Sequence, residues 1–177
     1  KSRGLASFVS PQHVSLPVIV YNVPGRTGCN LLPKTVARLA EHPNIVAIKE
    51  ASGNIEQMQR IIDGRPADFL VLSGDDGITF PLITLGAVGV ISVLGNAFPA
   101  EFSRMTRLAL QGDYANALTI HHKFTDVINL LFADGNPAGA KALLNIMGMM
   151  ENKLRLPLVP ARQVTYDKLR AAWEELK

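Results

Sequence analysis

Little in this sequence points toward nucleic acid, a membrane or an oxidising compartment. One cysteine, Cys29, excludes an internal disulfide and suits a reducing, cytoplasmic setting. The formal charge of +3 is scattered, and no Lys/Arg block interleaves with the sparse aromatics, which excludes a nucleic-acid track. A mildly basic balance does suit small anionic substrates. The first residues do not read as a basic and then apolar signal segment. The longest uncharged stretch, Gly77 to Ala100, has the length of a membrane span, yet Pro81, Gly86, Gly89, Gly95 and Pro99 interrupt it. It reads instead as a helix, Ile78 to Leu85, followed by a strand, Val88 to Val93, in a soluble chain.

What is present is organised around Tyr21 to Lys49. Short apolar runs, Pro17 to Val20 and Ile45 to Ile48, each deliver one reactive side chain and then break into Gly, Ser, Asn or Pro. Runs of that length separated by a helix read as parallel strands buried on both faces. A lysine at the end of such a strand, Lys49, leaves water, and desolvation favours the neutral amine that adds to carbonyls. Spacing alone also fits a lysine that snorkels to solvent and a Tyr21 that is an ordinary core residue.

The remaining pattern repeats. The expected elements are a strand Pro17 to Tyr21, a loop to Asn30, a helix opened by Pro33, and a strand Ile45 to Lys49. An Asn54/Gln57 capping box then starts a helix that ends near Gly64, and a strand Phe69 to Leu72 follows. With the Val88 to Val93 strand this makes four strand-helix units. Right-handed crossovers of this kind give an α/β fold with a parallel sheet and helices outside, and Tyr21, Lys49, Ser73-Gly74 and Ile91-Ser92 fall at carboxyl ends of strands.

After Pro99 the pattern is helical: Ala100 to Leu110, Tyr114 to Phe132 with a stripe of Ala117, Ile120, Phe124, Val127 and Leu131, Pro137 to Met147, and Tyr166 to Leu176. Asp113 and Asn136 read as amino-terminal caps. The expected division is residues 1–99 as a partial barrel domain and 100–177 as the last barrel helix with a helical region. Gly4 to Val9 reads as a helical turn stopped by Pro11.

Other candidates are weaker. His121 and His122 are adjacent on a helix, point to different faces and make a poor metal pair on a solvated surface. Asp75-Asp76 reads as a helix opening, Cys29 as a packed small residue, and Met147, Met149 and Met150 as core or interface filler.

Taken together, Tyr21-Asn22-Val23-Pro24-Gly25-Arg26-Thr27-Gly28, Ile48-Lys49-Glu50-Ala51-Ser52-Gly53-Asn54, Ser73-Gly74-Asp75-Asp76, Gly89-Val90-Ile91-Ser92-Val93 and Leu154-Arg155-Leu156-Pro157 resemble the dihydrodipicolinate synthases from about Leu16 onward. The resemblance implies the second half of a (β/α)8 TIM barrel of the class I aldolase type, here four strand-helix units followed by a C-terminal helical region. It implies a lyase that condenses pyruvate with aspartate semialdehyde in lysine and diaminopimelate synthesis, with no metal or cofactor and usually as a homotetramer. By the same resemblance Lys49 forms the Schiff base with pyruvate and Tyr21 relays protons. Arg26 receives the semialdehyde carboxylate, Ile91 contacts pyruvate through its backbone, and Gly74 leaves room beside the imine.

Arg26 sets this reading apart from the sialic acid lyases and keto-deoxy-sugar aldolases, which remain an alternative. The resemblance also implies four further units before Leu16, carrying a threonine pair, a tyrosine lent by a neighbouring subunit and residues that bind feedback lysine. A truncated enzyme, or a catalytically silent half-barrel, is therefore a further expectation.

Overall fold

Apolar residues alternate with partly exposed ones along the first strand, and the structure uses that alternation to build a one-sided sheet. The computed structural model describes residues 15–177, so the expected turn at Gly4 to Val9 lies outside the described residues. Four parallel strands, β1 (Val18–Asn22), β2 (Ile45–Glu50), β3 (Leu70–Ser73) and β4 (Gly89–Val90), pair in the order of the chain. In register, Tyr21 stands opposite Lys49 and Lys49 opposite Leu72; one residue on, Asn22, Glu50 and Ser73 form the next row. Because side chains alternate across a sheet, these two rows face opposite sides.

The side carrying Val20, Ile48 and Val71 is buried. Against it pack helices α2 (Pro33–Ala40), α3 (Ile55–Gly64) and α4 (Thr79–Thr84), whose Val36, Met58, Ile61 and Leu82 join the same core cluster. The other side is open among the described residues, with Ile19, Leu70 and Ile91 each more than two-fifths exposed. Ile45 and Ala47 of β2 are nevertheless buried on that side, so among the described residues the burial on both faces expected from the apolar runs holds for β2 and fails at Ile19, Leu70 and Ile91.

Boundaries follow local chemistry. Pro33 starts α2, where a missing N–H costs nothing. Asn54 accepts the Gln57 N–H at 3.0 Å to open α3, but the Gln57 side chain turns to Asn30 rather than closing a capping box. The expected helix Ile78 to Leu85 is a 3-10 turn, Asp76–Ile78, running into α4. The fourth strand is shorter than its apolar run: Ile91 N–H still reaches Ser73 O at 2.9 Å, and then the Ser92 hydroxyl accepts the Gly95 N–H and turns the chain away.

The helical region is α5 (Pro99–Leu110), α6 (Tyr114–Phe132), α7 (Ala138–Ile146) and α8 (Gln163–Leu176). Ala117, Phe124, Val127 and Leu131 of α6 are buried, and the Phe98 ring packs at a tilt against Phe124 at 4.7 Å and Trp173 at 5.8 Å, which ties α6 and α8 to the barrel side. Asp113 caps α6 through the Asn116 N–H. Asn136 caps nothing: Pro137 holds the cap position of α7, and the Asn136 carbonyl serves Arg26 instead. Among the described residues no helix is long and apolar enough to cross a membrane.

Three side chains depart from expectation. Cys29 is exposed, because Gly28 at φ +67° turns the chain outward just before it. His121 is half-buried, its ring 5.7 Å from Phe80, so this part of α6 is not a fully solvated face. Burial, and then the charge of His122, hold its pKa below the ordinary 6.5. Asp75 does open the 3-10 turn through the Gly77 N–H, but Asp76 is buried and does something else.

Candidate active site

Each strand ends in a turn at the same rim of the sheet, and that rim collects the reactive groups. Lys49 is the penultimate residue of β2 and Tyr21 that of β1, and parallel pairing sets them side by side on the open face. The Lys49 Nζ lies 4.2 Å from the centroid of the Tyr21 ring. Both border a cavity of about 500 Å³ together with Arg26 and Gly74, and Asp75, Val93, Phe132 and Asn136 are among its other walls. Lys49 is half-buried and Tyr21 is 43% exposed, so the lysine that strand burial would remove from water keeps one side open.

Arg26 reaches the rim from a four-residue helix, α1 (Pro24–Thr27), which Pro24 begins and Gly28 ends. Its Nη2 donates to the Asn136 carbonyl at 3.2 Å, so a loop of the helical region steadies the guanidinium across the mouth. Gly74 closes in on Lys49 from the β3 side. A Cβ there would stand 2.8 Å from the Ala51 Cβ and 3.0 Å from both Cγ and Cε of Lys49, a separation only glycine permits. Of the five residues singled out in the sequence, four share the cavity and Ile91 does not line it. Its N–H donates to the Ser73 carbonyl at 2.9 Å.

Under the rim, on the helix side, lies a polar network that the pattern of apolar runs does not announce. Glu50 is fully buried, and Asn22 nearly so. Asn22 Nδ2 donates to both Glu50 oxygens, at 3.1 and 2.9 Å, and the Ser52 N–H donates to Glu50 Oε1 at 2.6 Å. Asn22 Oδ1 accepts the Leu31 N–H, and Asn30 and Gln57 extend the chain of bonds to α3. These two residues directly follow Tyr21 and Lys49, so the network fixes the two strand ends relative to each other. A signal existed: polar residues in phase with Val20 and Ile48, on the face that goes inside, need partners there. Among the described residues no group of three or more His, Cys, Asp or Glu is arranged to hold a metal ion.

Parallel strand-helix units with side chains gathered at carboxyl strand ends define this as part of a (β/α)8 barrel of the TIM type, and comparison with solved structures agrees. Dihydrodipicolinate synthase from Thermotoga maritima superposes with a TM-score of 0.91 at 41% identity, over 94% of this chain and 58% of that one. The chloride-inhibited enzyme from Acinetobacter baumannii, complexed with pyruvate, gives 0.90 at 40% identity, over 93% and 57%. The family model for the dihydrodipicolinate synthetase family matches residues 7–176, and the chain belongs to that family. Among curated relatives, 4-hydroxy-tetrahydrodipicolinate synthase of Phocaeicola vulgatus is 72% identical over 163 residues, 92% of this chain and 55% of that protein. That of Parabacteroides distasonis is 67% identical, over 91% and 54%. The chain thus spans about half the length of the curated relatives it matches.

Proposed function

We propose that this chain carries the imine-forming part of a 4-hydroxy-tetrahydrodipicolinate synthase, a lyase that joins pyruvate to aspartate semialdehyde. The observation that carries the reading is the pairing of Lys49 and Tyr21 at adjacent strand ends, the amine 4.2 Å from the phenol ring, in a cavity that also holds Arg26 and Gly74. A relative 40% identical is described with pyruvate bound, which supports the same substrate here.

In this reading the Lys49 amine adds to the ketone carbon of pyruvate, and the carbinolamine loses water to give an iminium. The iminium draws electron density from the methyl group, which releases a proton and becomes an enamine carbon. That carbon attacks the aldehyde, and the semialdehyde nitrogen then closes the ring and displaces Lys49. Tyr21 relays protons to the departing hydroxyl and to the new alkoxide, a role that suits a phenol beside the amine. Arg26 pairs with the semialdehyde carboxylate, since a planar, permanent cation accepts a carboxylate through two parallel hydrogen bonds. The Ile91 carbonyl faces the bound keto acid, and Gly74 keeps the imine unobstructed. No metal or cofactor is called on, because the covalent imine is itself the electron sink. Assembly into a homo-oligomer, a tetramer by the family resemblance, belongs to the same proposal.

The test is product formation with alternative aldehydes. Pyruvate with aspartate semialdehyde is expected to give the cyclic product, while sialic acid and keto-deoxy sugars are not cleaved. Cleavage of a sugar acid without reaction of the semialdehyde would overturn the assignment in favour of the sister aldolases.

A further inference from the structure

Asp76 is a buried carboxylate for which the chemistry above has no use. It lies three residues after the end of β3, is 1% exposed, and pairs with no basic side chain among the described residues. Its Oδ2 accepts two backbone N–H groups, from Leu94 at 2.7 Å and from Val93 at 3.0 Å, while Oδ1 is buried without a hydrogen-bond partner. Burial pushes its pKa above 3.8. The Leu94 N–H, the Ser92 hydroxyl and the Val93 N–H pull it back only in part, and the neighbouring Asp75 charge adds to the rise. A carboxyl held this way carries a desolvation cost, which a neutral side chain in the same place would avoid.

What it holds explains its place. Val93 lines the cavity with Lys49, and Ile91 lies two residues earlier in the same segment. Among the described residues β4 is only two residues long and pairs with β3 alone, so strand pairing there fixes that segment weakly. The Ser73 to Gly77 stretch therefore makes two contacts with the site. Gly74 clears space for the Lys49 stem, and Asp76 anchors the opposite wall by its backbone.

We propose that Asp76 is a positioning residue for the keto acid: by holding the N–H groups of Val93 and Leu94 it fixes the wall that the bound pyruvate meets. The inference rests on the imine reading above. The experiment measures borohydride-trapped pyruvate on Lys49 against pyruvate concentration, together with amide hydrogen exchange at Val93 and Leu94. In Asp76→Ala the half-saturating pyruvate concentration is expected to rise about tenfold, with the adduct still complete at high pyruvate, because two charge-assisted bonds are lost. Exchange at both amides is expected to speed up, while that at Ile48 and Val71 stays slow.

Asp76→Asn keeps an acceptor oxygen for both N–H groups and is expected to restore half-saturation to within about threefold of the parent. Asp76→Ser, whose hydroxyl is too short to reach both, replaces the alanine variant if that one does not fold. An unmodified chain that forms no adduct overturns the imine reading and this role with it. An unmodified chain that forms the adduct, beside an Asp76→Ala variant with unchanged half-saturation or unchanged amide protection, overturns this role alone.

Discussion

At the scale of single residues, Gly74 is the sharpest constraint on the site. An added methyl would press hardest on the Ala51 Cβ, at 2.8 Å, and then on the Lys49 stem at 3.0 Å, so the turn after β2 must shift and the lysine with it. Gly74→Ala is therefore expected to slow imine formation about tenfold or more by moving Nζ off the Tyr21 ring, at a stability cost of about 1–3 kcal/mol. Rates of borohydride trapping and a denaturant melt separate the two effects; wild-type trapping in a folded variant would contradict the packing account. Glu50 and Asn22 work on the buried side of the same strand ends. Asn22→Leu leaves the Glu50 carboxylate short of donors and is expected to destabilise the chain by about 1–3 kcal/mol, read from the shift in urea midpoint.

At the scale of elements, α8 is tied to the loop after α6 by Asp134. Its carboxylate accepts the Arg162 N–H at 2.8 Å and pairs with the Arg162 guanidinium at 2.7 Å. A hydrogen bond from the Thr165 side chain holds the Asp134 pKa below 3.8; desolvation opposes it, and the Arg162 N–H, guanidinium hydrogen bond and charge each add a smaller lowering effect. A carboxylate whose folded pKa lies below its unfolded one contributes stability that is complete above the unfolded value and lost as pH falls through the folded one. The melting-temperature gap between the parent and Asp134→Asn is accordingly expected to be present at neutral pH and to close below about pH 4. A gap that persists unchanged in acid would assign the effect to something other than this carboxylate.

Elements also show what the sequence made legible. Strand ends, the Pro33 and Asp113 helix starts and the α6 stripe were readable because proline, capping side chains and apolar period act locally. The true partner of Asn136 and the burial of Asp76 were not, because each depends on a group distant in sequence; the short β4 was not because a serine turn at Ser92 overrides the apolar run.

At the scale of the whole molecule, one face of the sheet is packed and the other is open among the described residues except at Ile45 and Ala47 of β2. Ile48→Ala, on the packed face, is expected to cost about 2–5 kcal/mol, whereas Leu70→Thr on the open face changes stability by about 0.5 kcal/mol or less. Equal costs would mean that the open face is covered in solution. The same openness leaves Lys49 half-buried. The proposal that it is nonetheless the nucleophile is tested most directly by incubating the chain with pyruvate, reducing with borohydride and mapping the modified peptide. The account predicts a pyruvate-sized adduct on Lys49 that disappears in Lys49→Arg. An intact, folded chain that stays unmodified, or that carries the label on another lysine, would contradict it.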